Sequence, residues 1–292
     1  MHPEGARYWS NYRYREKSQR MAKAILALGE WEPPAVVGVA EIENRKVLDD
    51  LVQSPVLRKF DYGIIHYESP DRRGIDVALL FREKKFTPLY SQNVPVSMVD
   101  KPNFATRDIL YVKGVIKKSD TLHLMVCHWP SRYGGQAISE PKRIRAAQVV
   151  RRVVDSIFDV DPVSRIIIMG DFNDEYTNIS LRQYLRARLQ LDMEQGAHLI
   201  NLMAQLAPEK GSHRYRGEWS YLDQIIVSNS LLEEIGTEII GQQAQVFRAD
   251  FLLEPDEKYP GQKPFRSFIG MRYHGGFSDH LPVFIDLALN SD

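Results

Sequence analysis

Residues 165–175 read RIIIMGDFNDE. One arginine opens an apolar run, Ile166–Met169, that Gly170 closes. A short apolar run stopped by glycine reads as a buried strand. The residues just beyond it, Asp171, Asn173 and Asp174, are polar. Taken alone, Asp171-Phe172-Asn173 is also ordinary turn chemistry, since Asp and Asn favour turns. The same pattern recurs on both sides of this stretch. AVVGVA (35–40) runs into Glu41, and LHLMVC (122–127) runs into His128. Asp223 opens the run DQIIVS, and Asp279-His280 precede LPVFIDL. Strand ends are rigid platforms, and function tends to sit on the loops anchored there. A hard cation takes oxygen ligands, one or two of them carboxylates. Cleavage of a phosphate ester also needs an oriented water and donors for the phosphoryl oxygens. Each residue has a plainer reading on its own: Glu41 as a solvated loop start, His128 as a hydrogen-bonded core histidine, Asp223 and Asp279 as backbone caps. It is their joint order along the chain that points to chemistry.

Around these motifs the chain alternates short strands with fewer helices. Helical periodicity covers 11–29, 44–53 and 140–158. The last is the clearest, with Ile144, Ala147, Val150, Val154 and Ile157 on an inner face and Arg143, Arg145, Arg151 and Arg152 expected on the others. Further strands are expected at 62–67, 75–81, 109–116, 121–127, 166–170, 224–228 and 282–287. Trp31-Glu32-Pro33-Pro34 breaks the chain between the first helix and the first strand. Strict βαβ alternation is absent, as are G-x-G-x-x-G and P-loop patterns, so a mixed-sheet α+β sandwich is favoured over a Rossmann fold or a TIM barrel. No repeat, linker or composition break divides the chain, and a single domain over 1–292 is expected.

Composition excludes several classes. The 292 residues carry 38 Lys+Arg against 38 Asp+Glu, so bulk charge does not hold this chain to nucleic acid, although a local basic groove is compatible with that balance. One cysteine, Cys127, rules out an intrachain disulfide framework and a four-cysteine zinc site. No apolar run approaches the roughly 18 residues of a membrane span, and the opening MHPEGARYWSNYRYREK has no apolar signal core.

The elements AEIEN, RRGIDVALLF, CHWPSR, IIIMGDFND, YLDQIIVS and FSDHLPVFIDL, spread over about residues 35–288, resemble the endonuclease/exonuclease/phosphatase superfamily. GDFN followed by LDxI and then SDH is the specific part of the likeness. The resemblance implies a DNase I-like four-layer α/β sandwich, two facing mixed sheets flanked by helices. It implies that Glu41 binds metal and that Asp279 is a second or water-mediated ligand, with Mg²⁺ as cofactor and Mn²⁺ or Ca²⁺ as alternatives. It implies Asp171 as the aspartate that orients or deprotonates the attacking water, Asn173 as a holder of a phosphate oxygen or that water, and His280 and His128 as phosphate-contacting histidines. Asp223 would be the carboxylate partner of His280. Arg107, in ATRDIL, falls where some members keep a phosphate-contacting arginine. One departure stands out: members open with an asparagine-bearing strand that helps build the metal site, whereas this chain enters its first helix almost at once, and Asn11 lies in that helix. The reading implied is an omitted upstream segment, which could have carried an export signal, or a site built without it.

The expected activity is hydrolysis of a phosphodiester, most naturally in a nuclease-like enzyme with a nucleic-acid substrate. The alternatives are a phosphomonoesterase or lipid phosphodiesterase of the same superfamily, and a non-catalytic binding protein on the same scaffold. The segment 247–277, rich in Phe, Tyr and Arg, could stack on a base or grip a phosphate; the plainer reading is that Phe265 and Phe268 pack it onto the body. A membrane-binding apolar hairpin is not evident, and Lys258 and Lys263 are the nearest thing to a lysine-rich phosphate pocket.

Overall fold

The structure, a computed structural model, describes residues 7–30, 32–116, 120–191, 196–233 and 236–289; Trp31, in the expected break, lies outside them. Helix α1 (Asn11–Leu28) starts at Ser10, whose Oγ accepts the Arg13 N–H, and ends at Gly29. It buries Ala22, Ala24 and Ile25. Strand β1 (Val36–Ile42) follows, then α2 (Arg45–Val52), capped by the Asn44 side chain and burying Leu48, Leu51 and Val52. Strands β2 (Tyr62–His66) and β3 (Asp76–Arg82) complete a small antiparallel sheet of order β1-β3-β2.

A larger sheet holds β4 (Phe86–Val94), β5 (Ile109–Ile116), β6 (Asp120–His128), β7 (Arg165–Asp171), β8 (Ala187–Arg188), β9 (Leu199–Asn201) and β12 (Asp223–Ser228), in the order β4-β5-β6-β7-β12-β9-β8. It is mixed: β6–β7 and β8–β9 are parallel and the other pairs antiparallel. A parallel pair cannot be joined by a tight turn. Helix α3 (Gln136–Val160) supplies the crossover from β6 to β7. The hairpin of β10 (His213–Tyr215) and β11 (Glu218–Ser220) leads into β12.

Alternation along each strand sorts the core into layers. Leu122, Leu124 and Val126 on β6, Ile167 on β7 and Ile225 and Val227 on β12 meet Val77 and Leu79 of the small sheet. Their neighbours Met125, Cys127, Ile166, Ile168 and Ile226 face Ala147, Val150 and Val154 of α3. On the other side Ala78 and Leu80 pack on Ala22 and Ile25 of α1 and Leu48 and Leu51 of α2. The result is helix, sheet, sheet, helix: the four-layer sandwich the resemblance implied. Gly38 on β1 marks how closely the sheets approach, since a Cβ there would lie 2.9 Å from Met169 Sδ and 3.3 Å from Val126 Cγ1.

Three details correct the sequence reading. Arg143 is not on an outer face of α3; it is fully buried and pairs with Asp174 at 2.7 Å. Strand β4 was not anticipated, because Pro88 interrupts its pattern; it is an edge strand with a register shift at Pro88/Tyr90, where a proline is tolerated. The expected strand 282–287 is two short ones, Val283–Phe284 and Leu287–Leu289.

Candidate active site

The ladder that builds the large sheet also builds the site. His128 pairs with Asp171 across the β6–β7 ladder, and Asp171 pairs with Asp223 across β7–β12. Three polar side chains therefore stand in one row across three central strands. Gly170 makes the close approach feasible: its φ is +133°, and a Cβ there would meet the Cys127 carbonyl oxygen at 1.9 Å. The strand end is pinned by Trp129 N–H donating to Asp171 O and Phe172 N–H donating to Leu222 O, both at 2.8 Å.

Asp171 is closely held. Its Oδ1 accepts from Asn173 N–H at 2.8 Å and its Oδ2 from Asn173 Nδ2 at 3.1 Å. His128 Nε2 lies 3.5 Å from Asp171 Oδ2. Burial, with Asp223 and Glu41 nearby, pushes the Asp171 carboxyl up to about 7, although His280 opposes this. Asn173 sits at φ +50° and also donates Nδ2 to the Trp129 carbonyl at 3.0 Å, while Arg132 Nε donates to its carbonyl at 2.8 Å. Below the loop, Asp174 holds Arg143 at 2.7 Å and accepts from Ser180 Oγ at 2.6 Å.

His280 comes in from the C-terminal segment and places Nδ1 2.7 Å from Asp223 Oδ2, which also accepts from Ser212 Oγ at 2.5 Å. Burial works against a charge on His280, but Asp223 outweighs it, helped by Asp171 and Asp279, and the pKa rises to about 10. His128 behaves oppositely. It is buried, and burial together with Arg107, Arg73 and His280 drives its pKa well below the ordinary histidine value. The site therefore pairs one imidazolium with one neutral imidazole.

Glu41 sits on a bulge of β1 at φ +60°, an uncommon backbone for a side chain with a Cβ, which turns an exposed carboxylate out of the strand. Asp279 is exposed and lies below the ordinary carboxylate range: partial desolvation opposes its charge, while His280, Arg266 and His213 favour it. Lys17 of α1 registers both acids. It donates to Ser267 Oγ at 3.0 Å and to the Phe277 carbonyl; burial lowers its pKa to about 8, against the pull of Asp279 and Glu41. At this site, ligand atoms of Asp171, Asp223 and His280 lie within 4.8 Å of one another, as do those of His213, Asp279 and His280, with His280 itself engaged by Asp223. A third such group, His66–Glu68–Asp76, lies at the small sheet. Asp171 and Asp223 supply grouped carboxylate oxygens of the kind a divalent cation takes, and Glu41 is close enough for its charge to act on Asp171.

Arg107 is beside His128 but turned inward. Only 4% exposed, it donates Nε to the His128 carbonyl at 3.0 Å, Nη2 to the Trp129 carbonyl and Nη1 to Asp71 at 2.9 Å. Asn11 is the exposed first residue of α1. Sequence reasoning missed His213, whose ring lies 4.7 Å from that of His280 and whose backbone bridges it. It also missed Lys17 and Ser212. None of these has a local signal, because each meets the site through a contact more than ten residues away in the chain. The aromatic segment packs on the body: Phe268 lies 5.5 Å from Trp9 and 5.3 Å from Tyr273, and Phe265 packs on Phe277 at 6.2 Å.

This four-layer sandwich, with acids and histidines gathered at its strand ends, defines a phosphoester hydrolase. The chain belongs to the endonuclease/exonuclease/phosphatase family, whose profile matches residues 1–289. A comparison with curated proteins gave no match. Solved structures with the same fold include the human Nocturnin catalytic domain with bound sulfate, at 17% identity and TM-score 0.60 over 94% of this chain and 87% of that one. D. rerio TDP2 complexed with a single-strand DNA product aligns at 14% identity and TM-score 0.58, covering 96% of this chain and 94% of that one. The mannosyl-6-phosphatase of Bacteroides thetaiotaomicron aligns at 15% and TM-score 0.61, covering 94% and 92%. At these identities the likeness is one of fold. No helix among the described residues is long and apolar enough to cross a membrane.

Proposed function

We propose that this chain is a Mg²⁺-dependent phosphodiesterase, nuclease-like in substrate class, that works by in-line attack of an activated water. The observation that carries the reading is the row His128–Asp171–Asp223 with His280 docked on Asp223 at 2.7 Å. Asp171, poised at about 7, takes up or orients the proton of the attacking water. Asn173 fixes the Asp171 carboxylate through two hydrogen bonds and so sets the direction of attack. His280, held as a cation by Asp223, faces the negative charge that gathers on the phosphoryl oxygens. His128, neutral and buried, offers a fixed ring beside Asp171. Glu41 and Asp279 would hold the divalent ion, which polarises a phosphoryl oxygen when bound.

The test is a hydrolysis panel on the full chain, with and without Mg²⁺: plasmid DNA, abasic DNA, RNA, phosphoinositides, sphingomyelin and mannose 6-phosphate. Metal-dependent cleavage of a nucleic acid is expected, with Asp171→Ala and His280→Ala each losing on the order of 10²–10³ in rate while keeping the fold. Turnover confined to the monoester would replace the phosphodiesterase reading with a phosphatase one. Full activity in either alanine variant would remove its assigned role.

A further inference from the structure

The turn between β2 and β3 carries an arginine that the roles above leave unused. Residues Asp71-Arg72-Arg73-Gly74 close with Gly74 N–H donating to the Asp71 carbonyl at 2.9 Å, and Gly74 at φ +61°. Asp71 Oδ1 accepts from Arg73 twice, from the backbone N–H at 2.9 Å and from Nε at 3.2 Å. Its Oδ2 accepts from Arg107 Nη1 at 2.9 Å. One carboxylate, with a side chain 6% exposed, thus stands between two guanidinium groups.

The two arginines differ in what remains to them. Arg107 is buried, and its fork is used on the His128 and Trp129 carbonyls as well as on Asp71. Arg73 is 51% exposed, anchored only by Nε and its backbone; among the described residues its Nη1 and Nη2 have no protein partner. Arg72 points elsewhere, donating Nη2 to the Asn103 carbonyl at 3.2 Å. Two cations on one anion leave a surplus positive charge, and the charge of Arg73 is felt at His128, in the middle of the site. A guanidinium held at one edge, with two parallel N–H donors free, is the geometry that grips phosphate oxygens bidentately.

We propose that Arg73 is the substrate-binding arginine of this site: Nη1 and Nη2 take nonbridging oxygens of a phosphate anion, Asp71 positions them, and Arg107 is the buried brace of Asp71. This transfers to Arg73 the contact that the family likeness suggested for Arg107, and it rests on the reading above only in taking the anion to be a phosphate ester. The experiment compares wild type, Arg73→Gln, Arg73→Lys and Asp71→Asn. Binding of inorganic phosphate is measured by calorimetry with and without Mg²⁺, alongside KM and kcat on whichever ester the panel yields and thermal unfolding. Loss of a charge-assisted hydrogen bond of about 1.5–3 kcal/mol predicts a roughly ten- to hundredfold weaker phosphate Kd, and a matching rise in KM, for Arg73→Gln. Its unfolding midpoint should stay unchanged, and Arg73→Lys should recover part of the binding. Asp71→Asn should weaken phosphate binding and also lower the unfolding midpoint, because it unpairs Arg107. Equal phosphate affinity in wild type and Arg73→Gln overturns the inference, as does a wild type that binds no phosphate. If phosphate binding depends on Arg73 while no diester is cleaved, the inference stands and the phosphodiesterase reading falls.

Discussion

His280 and Asp171 have their proton affinities moved upward by the same small volume, for different reasons. Asp223 at 2.7 Å favours the charged form of His280, whereas burial disfavours the charged form of Asp171. Turnover should climb as pH rises through about 7 and Asp171 is freed of its proton, and fall as His280 is discharged near 10. Stability follows His280 with a definite sign. A raised histidine contributes stability that is fully present below its unfolded value of about 6.5 and is lost as pH rises through its folded value. The gap in unfolding free energy between wild type and His280→Gln should therefore be widest below about pH 6.5 and close toward pH 10; a gap independent of pH would contradict the Asp223 pairing. Glu41 offers a second residue-scale test. A non-glycine residue at φ +60° is strained by roughly 1 kcal/mol, which a glycine relieves. Glu41→Gly should be more stable than Glu41→Ala by about that amount in denaturant melts, while both lose metal-dependent turnover alike.

At the scale of elements, β7 and the loop after it are held from behind. Arg143 reaches through the base of α3 to Asp174, which also takes the Ser180 hydroxyl, and Arg132 ties the Asn173 carbonyl from the β6–α3 loop. Fixing the loop this way keeps Asn173 in its left-handed conformation and Asp171 in its double hydrogen bond. Removing one member of a buried ion pair leaves the other uncompensated, at a cost of about 3–5 kcal/mol. Asp174→Ala should lose that much in urea unfolding and should lower kcat even under conditions where it remains folded. A loss below about 1 kcal/mol, the worth of a surface pair, would show that the pair is not held dry.

For the whole molecule, the two sheets must lie close enough to bring a β1 carboxylate and the strand ends of the large sheet to one edge. Gly38 facing Met169 sets that approach. Gly38→Val should push the sheets apart at an overpacking cost of about 1–3 kcal/mol, seen as a lower unfolding midpoint, and, if the proposed metal role of Glu41 holds, should weaken divalent-cation affinity by separating Glu41 from Asp171. Unchanged stability would mean that Met169 swings aside and that the spacing is set elsewhere.

The alignment of the candidate residues was legible in the chain because a strand imposes a period of two. RIIIMG, LHLMVC and DQIIV each end or begin at a fixed phase, so where they pair, His128, Asp171 and Asp223 fall together. The helices α1, α2 and α3 were legible for the same reason, through their own period. Arg143 was not, because a buried charge is indistinguishable in sequence from a solvated one until its partner Asp174 is known. Arg107 and Arg73 show the same limit: both are arginines in polar contexts, and only the shared carboxylate of Asp71 decides which is buried against backbone carbonyls and which keeps a free fork. His213 and Lys17 join the site through contacts spanning tens to hundreds of residues. Periodic local structure is written in the order of residues. The pairing of charges across layers depends on which surfaces meet, and that is settled only when the sheets and helices close on one another.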